Sequence, residues 1–397
     1  MVVLSGQRQI LLDETVTADS RQHVLAAELV VTGSLHVEHV VAAARRLVWR
    51  HSALRARYWF AQVDFEQEVV DSATPEISFQ FAVNLTGVRQ VRERELARPF
   101  DFLRPIVPRF VVTSIGDTQH HVLIVVHQVC CDHWALNLLV AEFVELYSAL
   151  VGGRSAEVDH RPPQFHHYLD RTAEVDRQLV YWKQRLCDAP PLLAEVRERQ
   201  RPAAAPIPVR LPDQAVRQGA SRAGVTSLDV LVTAWARSLG ETARAREVCV
   251  AVPVPGRTAP GSERTVGPFV NTVVLRLGSR FSSADTHEVM CHAWQHQDVP
   301  FDEVLRHLGG ARQSPAQAMI ALRPQARRTY ELPSGAVAQV RTDVQPRRLG
   351  RFGLLLDLVP ADGGYTGWLS YGQDLVRRSE ALEALHRFYR WVRAELS

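Results

Sequence analysis

Apolar and polar positions follow two different periods in the first third of the chain. Apolar residues recur at helical spacing in 24–29 and again in 36–50, so both segments are predicted to be helical. Residues 77–82 (ISFQFA) alternate, 110–115 (FVVTSI) is rich in β-branched residues, and 121–127 (HVLIVVH) is a continuous apolar run. Such a run is typical of a strand that is covered on both faces. We therefore expect a buried strand to end at residue 127.

A helix is predicted directly after this strand. Asp132 is well placed to cap its first turn, and the pair Gly152-Gly153 supplies a stop. The polar, Pro- and Gly-bearing stretch 152–163 then predicts a lobe boundary, which a helix within 168–186 would cross. Because 397 residues exceed the size at which one core usually stops growing, we expect two lobes. Their predicted extents are 1–160 and 187–397, joined by a crossover linker and helix over 161–186.

The second lobe repeats the mixture of helices and strands seen in the first. Helices are predicted at 227–239, 286–296 and 301–308 and at the C-terminus, and strands at 247–253, 270–277, 318–322, 353–358 and 366–371. Two similar halves of mixed composition predict an α/β fold in duplicate.

Bulk composition limits the classes of partner. The formal charge of +3 is spread along the chain, which argues against a nucleic-acid partner. The opening residues do not resemble a secretory signal, and no apolar run approaches the roughly 20 residues of a membrane span, so no membrane partner is expected. Five cysteines without framework spacing fit reduced thiols. We therefore expect a cytoplasmic protein, and a monomer.

The segment 127–134 (HQVCCDHW) resembles the His-His-x-x-x-Asp-Gly signature of the condensation domains of non-ribosomal peptide synthetases. It stands where the family has it, between a buried strand and a helix. Further segments resemble family motifs in the correct order: 51–57 (HSALRAR), 97–105 (ARPFDFLRP), 181–186 (YWKQRL), 256–257 (GR), 266–272 (VGPFVNT) and 296–301 (HQDVPF). The resemblance spans nearly the whole chain.

The resemblance implies two lobes similar to chloramphenicol acetyltransferase, arranged as a V-shaped pseudo-dimer with a tunnel between them. It implies an acyl or peptidyl carrier protein as partner, which delivers a thioester on its phosphopantetheine, so that the chain needs no bound cofactor of its own. The acceptor would be a small-molecule amine or a carrier-bound group. Since the sequence covers one such domain, we expect a stand-alone protein.

Two positions depart from the family signature. The resemblance places Gln128 at the second His, which is usually assigned to assist the amine, and His133 at the Gly. An amide cannot exchange a proton near neutral pH, but Gln128 can orient an amine or donate a hydrogen bond to an oxyanion. His133 would either narrow the tunnel or supply the missing base. Both positions are the candidate catalytic residues.

The remaining candidate site residues follow from the same resemblance. His127 and Asp132 would hold the motif, with Arg55 or Arg57 as the ion-pair partner of Asp132. Three residues would lie along the substrate tunnel: Trp134, Asn271 and Thr272. The cysteines and histidines of 127–133 suggest zinc ligands, but adjacent residues point apart on a strand, so no metal is expected.

Two functions remain open at this point. The first is a condensation-type acyltransferase of peptide antibiotic biosynthesis that forms an amide, or less often an ester, from a carrier-bound acyl thioester. The second is a catalytically silent condensation fold that recruits a partner enzyme, such as a cytochrome P450, to a carrier-bound peptide.

Overall fold

The computed structural model describes most of the chain and divides it into two compact units. The described residues are 1, 3–16, 23–154, 162–168, 172–193, 204–278, 280–309, 314–323, 327–342, 352–361, 363–373 and 375–394. Unit 1 comprises residues 1–171, 257–269 and 326–345, and unit 2 comprises 172–256, 270–325 and 346–397.

The elements of unit 1 are mainly those of the first 171 residues. In chain order they are α1 (Ser5–Val16), β1 (Val24–Thr32), α2 (Val37–Arg50), β2 (Ala56–Ala61), β3 (Asp64–Val69), β4 (Glu76–Phe81), α3 (Leu85–Ala97), β5 (Arg109–Ile115), β6 (Gln119–His127) and α4 (His133–Val151). Short 3₁₀ turns cover Ser52–Arg55, Phe165–Tyr168 and Ser262–Arg264.

Most of the remaining elements belong to unit 2, and two strands belong to unit 1. Unit 2 contains α5 (Thr172–Leu186), β7 (Ile207–Pro212), α6 (Asp213–Ala223), α7 (Ser227–Ala243), β8 (Glu247–Val254), β9 (Asn271–Gly278), α8 (Ser283–Gln295), α9 (Phe301–His307) and β10 (Ala318–Leu322). The strands β11 (Arg327–Glu331) and β12 (Val337–Arg341) return to unit 1, and β13 (Leu354–Ala361), β14 (Gly364–Tyr371) and α10 (Arg378–Ala394) complete unit 2.

A six-stranded sheet in the order β11-β12-β1-β6-β5-β4 forms the centre of unit 1. The predicted strand before residue 127 is confirmed as β6, which is flanked by β1 and β5 and is buried along almost its whole length. The predicted helix after it is confirmed as α4, with Asp132 as its N-cap and Gly152 as its C-cap. The sheet therefore fixes the end of β6 close to the start of α4.

The helical prediction for residues 24–29 is wrong, because these residues form β1. An apolar run covered on both faces carries no clear period, and β1 lies between β6 and β12 with nearly every residue buried. Glu28 interrupts the run, and its carboxylate is satisfied inside the unit by His121 Nδ1 at 3.1 Å and Arg92 Nη1 at 3.2 Å. The register pairs Val24 with His127. The start of β1 therefore lies beside the end of β6.

Helix α4 is the one helix of the described residues that is long and apolar enough, by length and mean hydropathy, to cross a membrane. No such run was expected from the sequence. Half of its most apolar window is buried, and its buried residues belong to the core of unit 1. The core helix of a soluble protein passes the same test of length and hydropathy. The apolar character of α4 is accounted for by this packing.

Unit 2 has its own six-stranded sheet, in the order β7-β14-β13-β10-β8-β9. The predicted helices and strands of this half agree with α7 to α10 and with β8, β9, β10, β13 and β14 to within a few residues at their ends. Helix α7 begins at a capping box in which Thr226 Oγ1 accepts from the Asp229 N–H and the Asp229 carboxylate accepts from the Thr226 N–H. Its Trp235 is fully buried against Phe388 of α10.

The two units differ from the predicted extents of the lobes in two respects. The predicted linker and helix over 161–186 are divided between the units at residues 171 and 172. Residues 257–269 and 326–345, which were predicted to lie in the second lobe, belong to unit 1. The physical reason for the second segment is strand pairing, since β12 joins the edge of the unit 1 sheet beside β1. The predicted boundary stretch 152–163 lies largely outside the described residues.

Candidate active site

The turn between β6 and α4 is built by backbone and cysteine contacts. The Cys130 N–H donates to the His127 carbonyl at 3.1 Å, and the thiol of Cys130 donates to the same oxygen at 3.2 Å. Cys131 is fully buried beside it, and its thiol donates to the Asp132 carbonyl at 3.4 Å. Burial raises the pKa of the Cys130 thiol to about 12. Both cysteines are therefore packed thiols of the turn.

His127 is buried with both ring nitrogens engaged. Its Nδ1 accepts from the Val129 N–H at 3.2 Å, so Nε2 carries the proton and donates to Glu14 Oε1 at 3.3 Å. The rings of Phe100 and Phe102 pack edge-on against it, with centroids 5.3 and 5.0 Å away. Burial lowers the pKa of His127, although Glu14 opposes the shift. The side chain is thus a neutral support for the turn.

Asp132 is the polar centre of the turn. Its Oδ1 accepts from the Ala135 N–H at 2.7 Å and from Arg257 Nη2 at 2.9 Å, and its Oδ2 accepts from the Phe269 N–H at 3.0 Å. The side chains of Arg257 and Asp132 are only 3% and 2% exposed. Arg257 Nη1 also donates to the Ser262 and Thr265 carbonyls at 2.5 and 2.7 Å. This network fixes residues 257–269 to unit 1.

The predicted ion-pair partner of Asp132 is corrected by this geometry, because Arg257 occupies the place proposed for Arg55 or Arg57. Arg55 donates from Nη1 to the carbonyls of Val70 and Asp71. Arg57 donates to Glu68 across the β2–β3 hairpin, and both side chains are about half exposed. Arg257 lies in a segment that resembles a family motif, but no role was predicted for it. A pairing across more than 100 residues has no spacing signal in a single sequence.

Gly267 allows the close packing behind this network. A side chain there would meet Phe165, since an added Cβ would lie 2.3 Å from a ring carbon. The Gly267 carbonyl accepts from the Asp132 N–H and from Arg257 Nη2, each at 3.4 Å. Close approach of backbone to the motif therefore requires glycine at this position.

Gln128 is half-buried and bonded to His23, a residue that no sequence motif singled out. The Gln128 N–H donates to the His23 carbonyl at 2.7 Å, and Gln128 Oε1 lies 3.2 Å from His23 Nδ1. His23 Nε2 is buried and has no hydrogen-bond partner among the described residues; it lies 3.6 Å from Asp13 Oδ2. His23 immediately precedes β1, so predicting a helix there concealed its position next to Gln128.

The two residues that follow Asp132 begin α4. His133 is half-buried at the first helical position, and its carbonyl accepts from Asn137 Nδ2 at 3.0 Å. Trp134 is 42% exposed, and its Nε1 donates to the Glu263 carbonyl at 3.0 Å. Trp134 is therefore held at the surface of unit 1 by the same segment that Arg257 anchors.

Asn271 and Thr272 lie at the start of β9 in unit 2. Asn271 Nδ2 donates to the carbonyls of Gln297 and Val299 at 2.7 and 2.6 Å, and its Oδ1 accepts from the Phe301 N–H at 3.1 Å. The Thr272 N–H also donates to Asn271 Oδ1. The Asn271 amide thus has backbone partners at both ends and fixes the start of α9. Among the described residues, no group of three or more His, Cys, Asp or Glu side chains is arranged to hold a metal ion.

Comparison with protein families gives a match along the chain. The family model described as Condensation domain matches residues 1–396. Beauvericin nonribosomal cyclodepsipeptide synthetase of Beauveria bassiana is 26% identical over 379 residues, which are 87% of this chain and 12% of that protein. Phosphinothricin tripeptide synthetase PhsC of Streptomyces viridochromogenes is 24% identical and is matched over 88% of this chain and 35% of its own length. The chain thus spans a small part of these relatives.

Two solved domain structures illustrate the fold that this chain shares with known proteins. The first condensation domain of the CDA synthetase superposes with a TM-score of 0.80 at 19% identity, covering 99% of this chain and 95% of that one. The X-domain from teicoplanin biosynthesis superposes with a TM-score of 0.80 at 20% identity, covering 99% and 94%. These likenesses establish the α/β, chloramphenicol acetyltransferase-like fold with a sheet in each unit.

Proposed function

The chain belongs to the condensation-domain family, and from this premise we propose that it is an acyltransferase of non-ribosomal peptide synthesis. It transfers the acyl group of a carrier-bound phosphopantetheine thioester to an amine, or to a hydroxyl when an ester is formed. The carbonyl carbon gains the new C–N bond and loses the C–S bond, and the phosphopantetheine thiol leaves. The acyl or peptidyl carrier protein is the macromolecular partner.

The observation that carries this proposal is the hydrogen bond between Gln128 and His23. With the proton on Nδ1, His23 donates to Gln128 Oε1 across 3.2 Å. The carbonyl end of the amide is then occupied by His23, and the two N–H donors of Gln128 are left for another acceptor. Gln128 is therefore a hydrogen-bond donor to whatever oxygen lies beside it. Of the two roles that an amide can fill here, donation to the oxyanion of the tetrahedral intermediate is the one supported.

Such a donor suits this reaction because no proton has to pass through residue 128. A thioester is already a reactive acyl group and an amine is a good nucleophile, so positioning and oxyanion stabilisation account for most of the acceleration needed. The network of Asp132 and Arg257 and the buried His127 keep the turn rigid around Gln128. His133 remains a second candidate contact to the substrate.

The test is single-turnover aminolysis of carrier-loaded acyl thioesters, followed by intact-protein mass spectrometry. The substitution Gln128→Glu keeps an acceptor for His23 but removes both N–H donors, whereas Gln128→Ala removes the whole group. We expect both variants to lose about 10²–10³-fold in rate, the usual effect of deleting one oxyanion donor. Gln90→Glu, the same change on exposed α3, is the matched control and should leave the rate unchanged.

The measured rates distinguish the possible roles of Gln128 and His133. A Gln128→Glu variant as fast as wild type would show that residue 128 works as an acceptor, with its amide reversed relative to His23. His133→Ala, tested beside it, shows whether that side chain contributes. No acceleration by the wild-type chain over the rate without protein, across a broad panel of acyl groups and amines, would overturn the proposal.

The second candidate function is a silent condensation fold that recruits a partner such as a cytochrome P450. It is favoured by the absence of a titratable proton at position 128 and by the complete engagement of the His127 ring nitrogens. Binding of a cytochrome P450 to this protein, measured by calorimetry with and without peptide-loaded carrier protein, tests it. Binding without any aminolysis would support this second candidate.

A further inference from the structure

A thiol, an imidazole and a carboxylate form a chain on the α7–α8 contact of unit 2. His287 Nδ1 lies 2.9 Å from Asp229 Oδ2, and Cys291 Sγ lies 3.6 Å from His287 Nε2. His287 and Cys291 are four residues apart on α8, so their side chains lie on one face of the helix. None of the three residues takes part in the proposed acyl transfer.

The carboxylate determines which ring nitrogen of His287 carries the proton. An ionised carboxylate only accepts hydrogen bonds, so Nδ1 must be the donor to Asp229 and neutral His287 has its lone pair on Nε2. That lone pair faces the Cys291 thiol. Asp229 is 1% exposed in its side chain and is held by Thr226, whose N–H and Oγ1 donate to Oδ2 at 2.9 and 2.7 Å. The base is thereby oriented by a fixed third group, as in nucleophilic triads.

The Cys291 residue is more exposed to solvent than three of the other four cysteines. Cys130, Cys131 and Cys249 are buried, and burial raises the pKa of Cys249 to about 12. Cys291 is partly exposed, and the His287 side chain is 42% exposed, so both residues have contact with solvent. Cys187 is also exposed, and the hydrogen-bond partners of its Sγ among the described residues are the Gln184 carbonyl and Asp188 Oδ1, at 3.8 and 3.9 Å.

We propose that Cys291 is a nucleophilic modification site, activated by His287 and Asp229, which forms mixed disulfides with low-molecular-weight disulfides. His287 Nε2 takes the thiol proton, and the thiolate attacks one sulfur of the small disulfide. The disulfide bond of the reagent breaks as the new Cys291 S–S bond forms. The second half of the reagent leaves as a thiolate and takes the proton back from His287. Cys291 is oxidised and the reagent is reduced, so electrons and protons balance.

The experiment measures the rate of mixed-disulfide formation with dithiodipyridine at pH 7, by mass spectrometry of the peptides that carry Cys291 and Cys187. A free cysteine is only a few per cent thiolate at this pH, so ion-pair formation with an imidazole leaves room for about a tenfold increase in rate. We expect Cys291 in the wild-type chain to react about tenfold faster than Cys291 in His287→Gln. The Cys187 rate, measured in the same samples, should be equal in both proteins.

A second pair of variants separates the effect of the Asp229–His287 hydrogen bond from the effect of the α7 helix cap. Asp229→Asn removes the carboxylate that orients His287 and also weakens the capping box. Thr226→Ala weakens the same cap but leaves Asp229 and His287 in contact. We expect Asp229→Asn to slow the modification of Cys291 more than Thr226→Ala does, because only the first removes the carboxylate that accepts from His287. Equal Cys291 rates in wild type and His287→Gln would overturn the proposal, whatever the outcome of the aminolysis test.

Discussion

His127 in unit 1 and His287 in unit 2 are each bonded to a carboxylate, but their surroundings differ. His127 is 1% exposed, lies between two phenylalanine rings and uses both ring nitrogens for the fold. His287 is 42% exposed, and its second nitrogen faces a thiol. Burial lowers the pKa of His127. The same pair of groups thus supports a turn in one unit and orients a base in the other.

The two sites differ on the side of the imidazole that faces away from the carboxylate. The groups on that side decide whether the histidine–carboxylate pair supports the fold or activates another side chain. In unit 1, the turn of 127–133 is closed by Arg257, and the histidine is one of several buried groups whose partners are other parts of the fold. In unit 2, the carboxylate is anchored by the helix cap, while the far side of the imidazole is left to solvent and Cys291. Chemistry is accordingly expected at the partly exposed groups, Gln128 and Cys291.

The largest effect on stability is expected from Arg257→Ala, which removes the partner of Asp132 in the turn of 127–133. This change leaves the buried Asp132 carboxylate without its cation, and breaking a buried ion pair from one side costs about 3–5 kcal/mol. We expect the free energy of unfolding of unit 1 to fall by that amount in urea titrations followed by circular dichroism. Arg57→Ala, which breaks the half-exposed pair with Glu68, is the control and should cost less than about 1 kcal/mol. Equal losses would show that the Asp132–Arg257 pair is not special.

A smaller, pH-dependent effect is expected from His127. Because burial lowers its pKa in the folded chain, the unfolded chain binds a proton first as the pH falls below about 6.5. The free energy of unfolding should therefore decrease on acidification through that range and recover as the pH rises. His127→Gln cannot take up this proton, so its stability should depend less on pH between about 7 and 5, with a loss of about 1–3 kcal/mol at pH 7 from the broken hydrogen bonds. Parallel pH profiles of the two proteins would contradict this.

Much of the fold could be predicted from the period of apolar residues, and the failures have a physical cause. Strands β6 and β10 and helices α4 and α7 have clear patterns and turn signals, so their positions agree with prediction. Strand β1 is also buried on both faces, but Ala26, Ala27 and Glu28 interrupt its run of large apolar residues, so its spacing fits a helix as well. Predicting it as a helix removed the neighbour of β6, and with it the contact between His23 and Gln128.

The site was predictable only as far as local sequence defines it. Asp132 was expected at the helix cap and is found there, because capping depends on the next three residues. Its partner Arg257 comes from a distant segment and the Asp229–His287 pair from two different helices, so packing alone decides both contacts. The roles of Gln128, His133, Trp134, Asn271 and Thr272 in catalysis remain predictions.

The smallest effect on stability is expected from His287, the histidine whose loss should slow the modification of Cys291. His287→Gln removes a partly exposed side chain and one hydrogen bond to Asp229, while the two donors from Thr226 remain. We expect the free energy of unfolding to change by no more than about 1 kcal/mol, because one hydrogen bond at a partly exposed site contributes about that much. The urea midpoint and the Cys291 modification rate of this variant, measured together, check that the substitution changes reactivity but not stability. A loss comparable to that of Arg257→Ala would mean that His287 supports unit 2 as His127 supports unit 1, and the contrast between the two histidines would then be wrong.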